Sequence, residues 1–366
     1  MKKHDEFNEI GLISHPKPER LGKTFRQDVS DAVSVRTAAL IVGVLLLGLG
    51  FILSFVGAFH DPTPRRIPIV VVAAGAASGQ MVGALNGLPG QPLHVTSVAS
   101  DARALSLVKN GSIDGVLILS TTGRTDTLLV ASGGGAALAT AVETVVGDVE
   151  NAAHRGLDVK DVVPSQPGDF RGLSSFYLVV GLLVGGYLAA ALLGISSGAR
   201  PTTGRRSFIR LLIVAFYSIL AGLGGALVVD QVLGALTGHF FALWAIGVLL
   251  VFCAAAVTMA FQALFGVFGI GLTLLIFVIL GNPSSGGAYS ASLLPPFWRA
   301  ISSALPNGAA VLAIRRVVYF HAYDVQGDLL VIALWAAIGA AVALAVSSLR
   351  ARPDSVDVIG VLSTTQ

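Results

Sequence analysis

The alternation of apolar and polar stretches divides this chain into runs that are long enough to cross a lipid bilayer. A hydrocarbon core of about 30 Å needs about 20 helical residues at about 1.5 Å each. Four runs meet that length and carry no ionisable side chain other than tyrosine: residues 37–59, 176–195, 211–229 and 329–346. We therefore predict that each of these runs forms one transmembrane helix.

A fifth run, residues 240–280, is also free of charge, but as one helix it would extend about 60 Å, twice the hydrocarbon thickness. The run must therefore reverse direction. We expect the turn between Gln262 and Gly269, where a polar amide and the glycines Gly266 and Gly269 interrupt the apolar pattern. Two helices from this run bring the predicted number of transmembrane helices to six.

Residues 60–172, between the first and second runs, show alternating strand and helix signals instead of one long apolar run. Three helices are predicted in this part of the chain. The first lies between Ala73 and Leu88, the second begins after Asp101 as its N-cap and ends before Gly111, and the third covers residues 136–153. The predicted strands are residues 67–72, 93–98, 115–119, 127–131 and 159–163. This β-α-β order predicts a small extracytoplasmic α/β domain inserted between helices 1 and 2 of an α-helical polytopic membrane protein.

The remaining segments complete the organisation. Residues 1–36 form a cytoplasmic arm, in which Phe25, Val29 and Val33 have the spacing of a short interfacial helix, although a tail without structure is the alternative. Residues 173–346 hold helices 2–6 and an outer segment, 281–327. The apolar part of that segment has about 14 residues and is broken by prolines, so it should lie at the interface or re-enter the membrane. Residues 347–366 form a cytoplasmic tail.

Composition and charge agree with a membrane protein and orient it. The 366 residues are 54% hydrophobic and 12% charged, with a mean hydropathy of +0.78. Of the 24 Lys and Arg residues, 13 fall in residues 1–37, 196–210 and 347–366. The positive-inside rule therefore places both termini in the cytoplasm. Because the alanine- and glycine-rich chain does not resemble a protein of a eukaryotic secretory host, we expect it in the plasma membrane of a bacterium. A net charge of +3 gives no nucleic-acid footprint.

No catalytic or cofactor chemistry is indicated by the residues. The single cysteine, Cys253, excludes an intrachain disulfide, and the histidines have no metal-ligand spacing. Gly22, Lys23 and Thr24 imitate the end of a phosphate-binding loop, but no strand precedes them. The apolar runs also lack the acidic, basic and histidine side chains of a proton relay. We therefore expect no enzyme, no cofactor, no metal and no proton-coupled carrier.

Three stretches resemble a known family. Ser54 to His60 with the strand-like residues 67–72 is similar to the first helix and strand of the YhgE/Pip (phage infection protein) group, which belongs to the type-2 ABC transporter permease superfamily. Residues 169–177 resemble the start of that group's second helix. Residues 281–287, 294–298 and 305–308 resemble its outer segment. Because this chain has no coiled-coil insertion in its outer domain, a role in phage adsorption does not follow.

The resemblance implies an export permease that moves an amphipathic or lipid-like substrate outward, powered by a separate cytoplasmic ATP-binding subunit. It also implies a homodimer, or a heterodimer with a similar permease, in the lipid bilayer. The alternative function is a non-transporting envelope receptor or secretion accessory protein that binds through its outer domain. Detection of a bound ATPase would discriminate between the two.

Two groups of residues follow from this hypothesis. The loop after helix 2 would contact the ATPase, although topology alone also explains its arginines: Arg200, Arg205, Arg206 and Arg210. Asn282, Phe297 and Trp298 would lie at the outer exit, with interfacial anchoring as the alternative. Small residues such as Gly181, Gly185, Gly222, Gly224 and Gly225 indicate close helix packing, and a helix-lined pathway is the second interpretation.

Overall fold

The computed structural model describes residues 35–73, 76–198 and 203–350, and 68% of it is helical. Two compact units are distinguished. The described part of the first, residues 35–46, is the beginning of one helix. The second unit, residues 47–366, contains a small mixed sheet and the other helices. The predicted interfacial helix around Phe25 lies outside the described residues. Residues 347–350 of the predicted cytoplasmic tail belong instead to the end of a helix, and the rest of that tail lies outside the described residues.

The helices follow the apolar runs. In chain order they are α1 Val35–Phe59, α2 Ala76–Asn86, α3 Asp101–Lys109, α4 Ala136–Ala152, α5 Ser174–Ser197, α6 Gly204–Ala226, α7 Phe240–Phe265, α8 Phe268–Leu274, α9 Pro296–Ser302, α10 Pro306–Tyr319 and α11 Val325–Arg350. Helix α6 continues as a π-helix over Leu227–Val232, and α8 continues as a π-helix over Leu275–Leu280 and a helical turn over Gly281–Ser284.

Among the described residues, five helices are long and apolar enough to cross a membrane: Thr37–Phe59, Ser174–Ser197, Gly204–Val232, Phe240–Phe265 and Val325–Arg350. The chain thus has the helices of a polytopic membrane protein. The apolar segment Phe268–Ser284 is shorter, with 17 residues, so the predicted sixth crossing remains a prediction.

The predicted reversal after α7 is confirmed. Helix α7 ends at Phe265, and Gly266 follows with φ +65°, a left-handed conformation that glycine adopts without steric cost. The amide of Gly266 donates to the carbonyl of Gln262 at 2.8 Å. A Cβ on Gly269 would lie 2.3 Å from the carbonyl carbon of Phe261, so only glycine permits α8 to turn back this closely against α7.

The sheet confirms the predicted β-α-β order. Its strands are β1 Ile67–Val72, β2 Leu93–Val98, β3 Gly115–Ile118, β4 Thr125–Val130 and β5 Gly156–Asp161. The strand order is β2-β1-β3-β4-β5, and only the β3–β4 pair is antiparallel. One face packs Ile69 and Val71 against α2 and α4, and the other packs Val70 and Val116 against α3. The sheet is therefore the middle of three layers.

Three details differ from the sequence prediction. Ser100, not Asp101, is the N-cap of α3: Ser100 has extended backbone angles and its hydroxyl accepts from the amide of Arg103 at 3.3 Å. Strand β5 begins three residues earlier than predicted and ends at Asp161, because its register follows β4. Two of the long apolar helices also extend beyond their charge-free runs, so that they include the buried residues Asp230 and Asp328.

Helix α7 lies at the centre of the helical part and packs against α5, α6 and α11. Glycines on these neighbours allow close approach. An added Cβ on Gly186, Gly222 or Gly339 would lie 2.5 to 2.7 Å from backbone atoms of α7. Cys253 of α7 is fully buried among protein side chains.

Candidate functional site

An apolar groove separates α5 from α6 over about half of their length. Its volume is about 480 Å³, and it is lined by Tyr177, Leu178, Gly181, Leu182 and Gly185 of α5 and by Tyr217, Ala221, Gly224, Gly225, Val228 and Val229 of α6. Ser174 and the loop residues Leu233 and Ala235 line the end at which α5 begins. We call this cavity the α5–α6 groove.

The glycines that were predicted to mediate packing serve two different purposes. A Cβ on Gly222 would clash with α7, so this glycine does allow close packing. In contrast, no atom lies within 4 Å of a Cβ added to Gly181 or Gly224. These two glycines leave the α5–α6 groove open instead of closing the helix pair.

The end of the groove near Ser174 is held by the segment that connects the sheet to α5. The side-chain oxygen of Gln166 accepts from the amide of Thr237 at 2.7 Å and from its hydroxyl at 3.0 Å. A Cβ on Gly168 would lie 2.3 Å from the carbonyl oxygen of Gly234. The connecting segment and the α6–α7 loop are therefore fixed to each other beside the groove.

A buried arginine joins the same connecting segment to α10. Arg315 is 3% exposed, and its guanidinium donates to the carbonyls of Gly286 at 2.8 Å, Gly287 at 2.9 Å and Gly172 at 3.1 Å. Its Nε has no partner within the described part of the chain. Burial lowers the pKa of Arg315 to about 10, and nearby Asp169 opposes that shift, so the guanidinium stays charged at neutral pH.

Asp169 and Tyr319 complete this junction. The hydroxyl of Tyr319 donates to Asp169 at 2.8 Å, and the other carboxylate oxygen of Asp169 accepts from the amide of Ser174 at 2.8 Å. Burial, together with the hydrogen bond to Asp169, raises the pKa of Tyr319. The start of α5 is thus tied to α10 by charged groups that are hydrogen-bonded and out of water. We call Asp169, Arg315 and Tyr319 the junction cluster.

The residues predicted for an outer exit fall into two places. Asn282 is buried, and its side-chain oxygen accepts from Asn307 at 2.9 Å. Asn307 also donates to the carbonyl of Phe277, in the π-helix, at 2.9 Å. Phe297 is 57% exposed and stacks edge-to-face on Trp298, with the ring centroids 5.1 Å apart. The described contacts do not join Asn282 to these two aromatic rings, and their role at an exit stays a prediction.

The residues predicted to contact an ATPase begin α6. Arg205 and Arg206 are exposed in its first turn. Arg210 instead donates to the carbonyls of Ser197 at 2.6 Å and Gly198 at 2.9 Å, so it caps the end of α5. Arg200 lies outside the described residues. Arg210 therefore has a structural role, and the side chains of Arg205 and Arg206 are exposed.

The sheet carries a second buried charged cluster. Arg155 forms an ion pair with Asp126 at 2.5 Å and lies 3.6 Å from Glu150, and both carboxylates are fully buried. Burial, reinforced by Asp126, raises the pKa of Glu150 to about 7. Burial alone would raise the pKa of Asp126, but hydrogen bonds from Arg155 and Ser120 lower it. The described residues contain no group of three or more His, Cys, Asp or Glu that could hold a metal.

Sequence reasoning missed the junction cluster. Arg315 and Arg316 interrupt an apolar stretch that has no other charge between Ala300 and His321. An arginine inside so apolar a stretch was the available signal, because a charged residue on a buried helix needs partners. The α5–α6 groove had a weaker signal, since glycine spacing alone does not tell which face of a helix packs.

No family model matches this chain, and no curated protein or solved structure matches it either.

Proposed function

We propose that this protein is the membrane subunit of an exporter, which moves an amphipathic or lipid-like substrate outward and is powered by a separate ATP-binding subunit. The observation that carries the proposal is the α5–α6 groove. The resemblance of residues 169–177 to the YhgE/Pip group of permeases points to the same class of function.

The groove suits the apolar part of an amphipathic molecule. Its volume of about 480 Å³ is that of a small-molecule site, and its walls are apolar side chains and open glycines. Tyr177, which is 64% exposed, and Ser174 supply polar atoms toward the end where the sheet joins α5. An acyl chain between the helices with its head group near Ser174 fits this arrangement, and the hydroxyl of Tyr217 beside Gly185 is a polar group at the opposite end of the groove.

Export also requires a defined topology, and we propose six crossings with both termini in the cytoplasm. Phe268–Ser284 would be the fifth crossing. Its 17 residues extend about 25 Å, slightly less than the hydrocarbon core, and a short crossing is tolerated through local thinning of the bilayer. At its end the buried side chain of Asn307 donates a hydrogen bond to the side-chain oxygen of Asn282.

The exposed pair Arg205 and Arg206 would bind the ATP-binding subunit. The two side chains follow the short connection between α5 and α6, and α6 forms one wall of the groove. A movement imposed at the first turn of α6 would therefore change the width of the groove. A homodimer, or a pair with a similar permease, would supply two such contact points.

Photolabelling tests whether the groove accepts an amphiphile. A diazirine-bearing fatty acid would be incorporated into membranes that contain the full chain, and labelled peptides would be mapped by mass spectrometry. We expect saturable labelling around Tyr177 and Tyr217, and we expect Gly224→Leu to remove it, because the leucine would occupy the open space next to Gly224.

Gly48→Leu is the matched control, since Gly48 of α1 is equally open but does not line the groove. Labelling of Gly224→Leu at the wild-type level, or labelling that unlabelled fatty acid does not compete away, would contradict a binding site in the groove.

A further inference from the structure

Three arginines line one cavity at the place where the chain leaves α1 and enters the sheet. Arg65 and Arg66 precede β1, and Arg299 belongs to α9. Together with Gly90 and Gln91 they surround a cavity of about 460 Å³. We call these three residues the arginine cluster.

The arginine cluster has no acidic partner in the part of the chain that the structure describes. Arg299 donates to the backbone carbonyl of Arg65 at 3.2 Å, and Nε of Arg65 is buried without a hydrogen-bond partner. Two other arginines of the protein do have acidic partners: Arg155 pairs with Asp126, and Arg316 lies 3.0 Å from Asp328. The positive charge of the arginine cluster is therefore not compensated by a carboxylate of the described residues.

Backbone contacts hold the cluster in place. The amide of Arg65 donates to the carbonyl of Ser292 at 2.8 Å, and the amide of Arg66 donates to the carbonyl of Gln91 at 2.9 Å. Arg66 and Gln91 both have left-handed backbone angles, with φ of +51° and +47°. Residues other than glycine seldom adopt this conformation without being fixed by their surroundings. The cavity is therefore a built feature and not a gap between two loose loops.

The surroundings place the cluster at a lipid–water boundary. The apolar helix Thr37–Phe59 ends six residues before Arg65. Helix α9, which carries Arg299, also carries the exposed ring of Phe297 and the half-buried ring of Trp298. Aromatic side chains beside basic ones are typical of the membrane interface, where the phosphates of lipid head groups lie.

We propose that the arginine cluster binds a phosphate group, supplied either by an anionic lipid head group or by free phosphate. Guanidinium groups match phosphate oxygens in geometry and charge, and all three arginines of the cluster line the cavity. This site is separate from the α5–α6 groove, because the two share no lining residue. The proposal requires a membrane next to α1 but does not require transport.

Titration of the purified full chain in a nonionic detergent tests the proposal. The probes are dihexanoylphosphatidylglycerol, dihexanoylphosphatidylcholine and inorganic phosphate, and binding is followed by calorimetry. We expect phosphatidylglycerol to bind more tightly than phosphatidylcholine. Arg66→Gln should weaken that binding by about fivefold, and Arg66→Gln with Arg299→Gln should weaken it by about twentyfold, because each arginine lost removes one favourable contact with an anion.

Arg103→Gln is the matched control, since Arg103 is exposed on α3 and does not line the cavity. Competition by inorganic phosphate at similar concentrations would identify free phosphate as the source, and its failure to compete would identify the lipid head group. Binding that is unchanged in both arginine variants would overturn the proposal, as would equal affinity for the two lipids together with no binding of inorganic phosphate. Glutamine adopts the left-handed conformation at Gln91, so Arg66→Gln should fold. Because Cys253 is buried in the folded protein, its failure to react with a thiol reagent would confirm that the variant is folded.

Discussion

Replacement of Arg315 by methionine should loosen the junction between the sheet and the helices. The methionine fills similar space but donates no hydrogen bond, so the buried carbonyls of Gly172, Gly286 and Gly287 lose their donor. Each unsatisfied carbonyl costs about 1–3 kcal/mol, and loss of one member of a buried charged network costs about 3–5 kcal/mol. We therefore expect a destabilisation of about 3–5 kcal/mol and a decrease in Tm on the order of 10 °C.

Cys253 provides the assay. It is the single cysteine of the chain and is fully buried, so a dye that fluoresces on reaction with a thiol reports the unfolding of the helical part. Arg315→Lys keeps the positive charge but not the planar guanidinium with its several donors. Its Tm should therefore lie between those of the wild type and Arg315→Met. Arg171→Gln is the control, because Arg171 is exposed in the same segment and its loss should change stability by less than about 0.5 kcal/mol. If Arg315→Met and Arg171→Gln unfold at the same temperature, the junction cluster does not hold the sheet to the helices.

Two further predictions concern the sheet and the exposed arginines. The fragment of residues 66–164 should melt cooperatively, and its stability should fall as pH rises from about 4.5 to about 7, because Glu150 has a raised pKa in the folded state and must ionise beside Asp126. Glu150→Gln should remove most of this dependence of stability on pH. Circular dichroism melts of both fragments at several pH values would measure it, and an unchanged pH dependence in Glu150→Gln would contradict the assignment to Glu150. Arg205→Glu with Arg206→Glu should still insert but should lose co-purification with an ATP-binding subunit. If the double variant co-purifies with as much of that subunit as the wild type does, Arg205 and Arg206 are not the contact. If no ATP-binding subunit co-purifies with the wild-type protein, the receptor alternative is favoured.

The helices and strands could be predicted from local patterns. Absence of charge over about 20 residues identified the long helices, and alternating β-branched segments identified five strands, because both signals arise within one element. The reversal after α7 was predictable for the same reason, since Gly266 and Gly269 lie within the uncharged run. The antiparallel β3–β4 pair and the β2-β1-β3 order depend on contacts between elements, and a single sequence does not specify them.

The candidate sites were less predictable because they depend on which faces meet. Helix α10 lies within residues 281–327, which were predicted to form an outer interfacial or re-entrant segment. In the structure α10 is almost wholly buried, and the partners of Arg315 are carbonyls up to 143 residues away in the sequence. Glycine spacing likewise did not separate Gly222, which packs against α7, from Gly224, which leaves the groove open.

The permease hypothesis requires that the sheet is extracytoplasmic, that the arginine loop is cytoplasmic, and that Phe268–Ser284 is the fifth of six crossings. Ser284 is fully buried, so Ser303, which is exposed after α9, is the better labelling position beyond that segment. Thr202, in the arginine loop, is the labelling position on the N-terminal side of Phe268–Ser284.

Single cysteines at these two positions, introduced after replacement of Cys253 by alanine, would be treated with an impermeant thiol reagent in intact bacterial cells. Three crossings separate the two positions if Phe268–Ser284 spans, and two separate them if it does not. We predict that Ser303→Cys is labelled in intact cells and that Thr202→Cys is labelled only after the cells are opened. Labelling of both from the same side, or the inverse pattern, would contradict the six-crossing exporter.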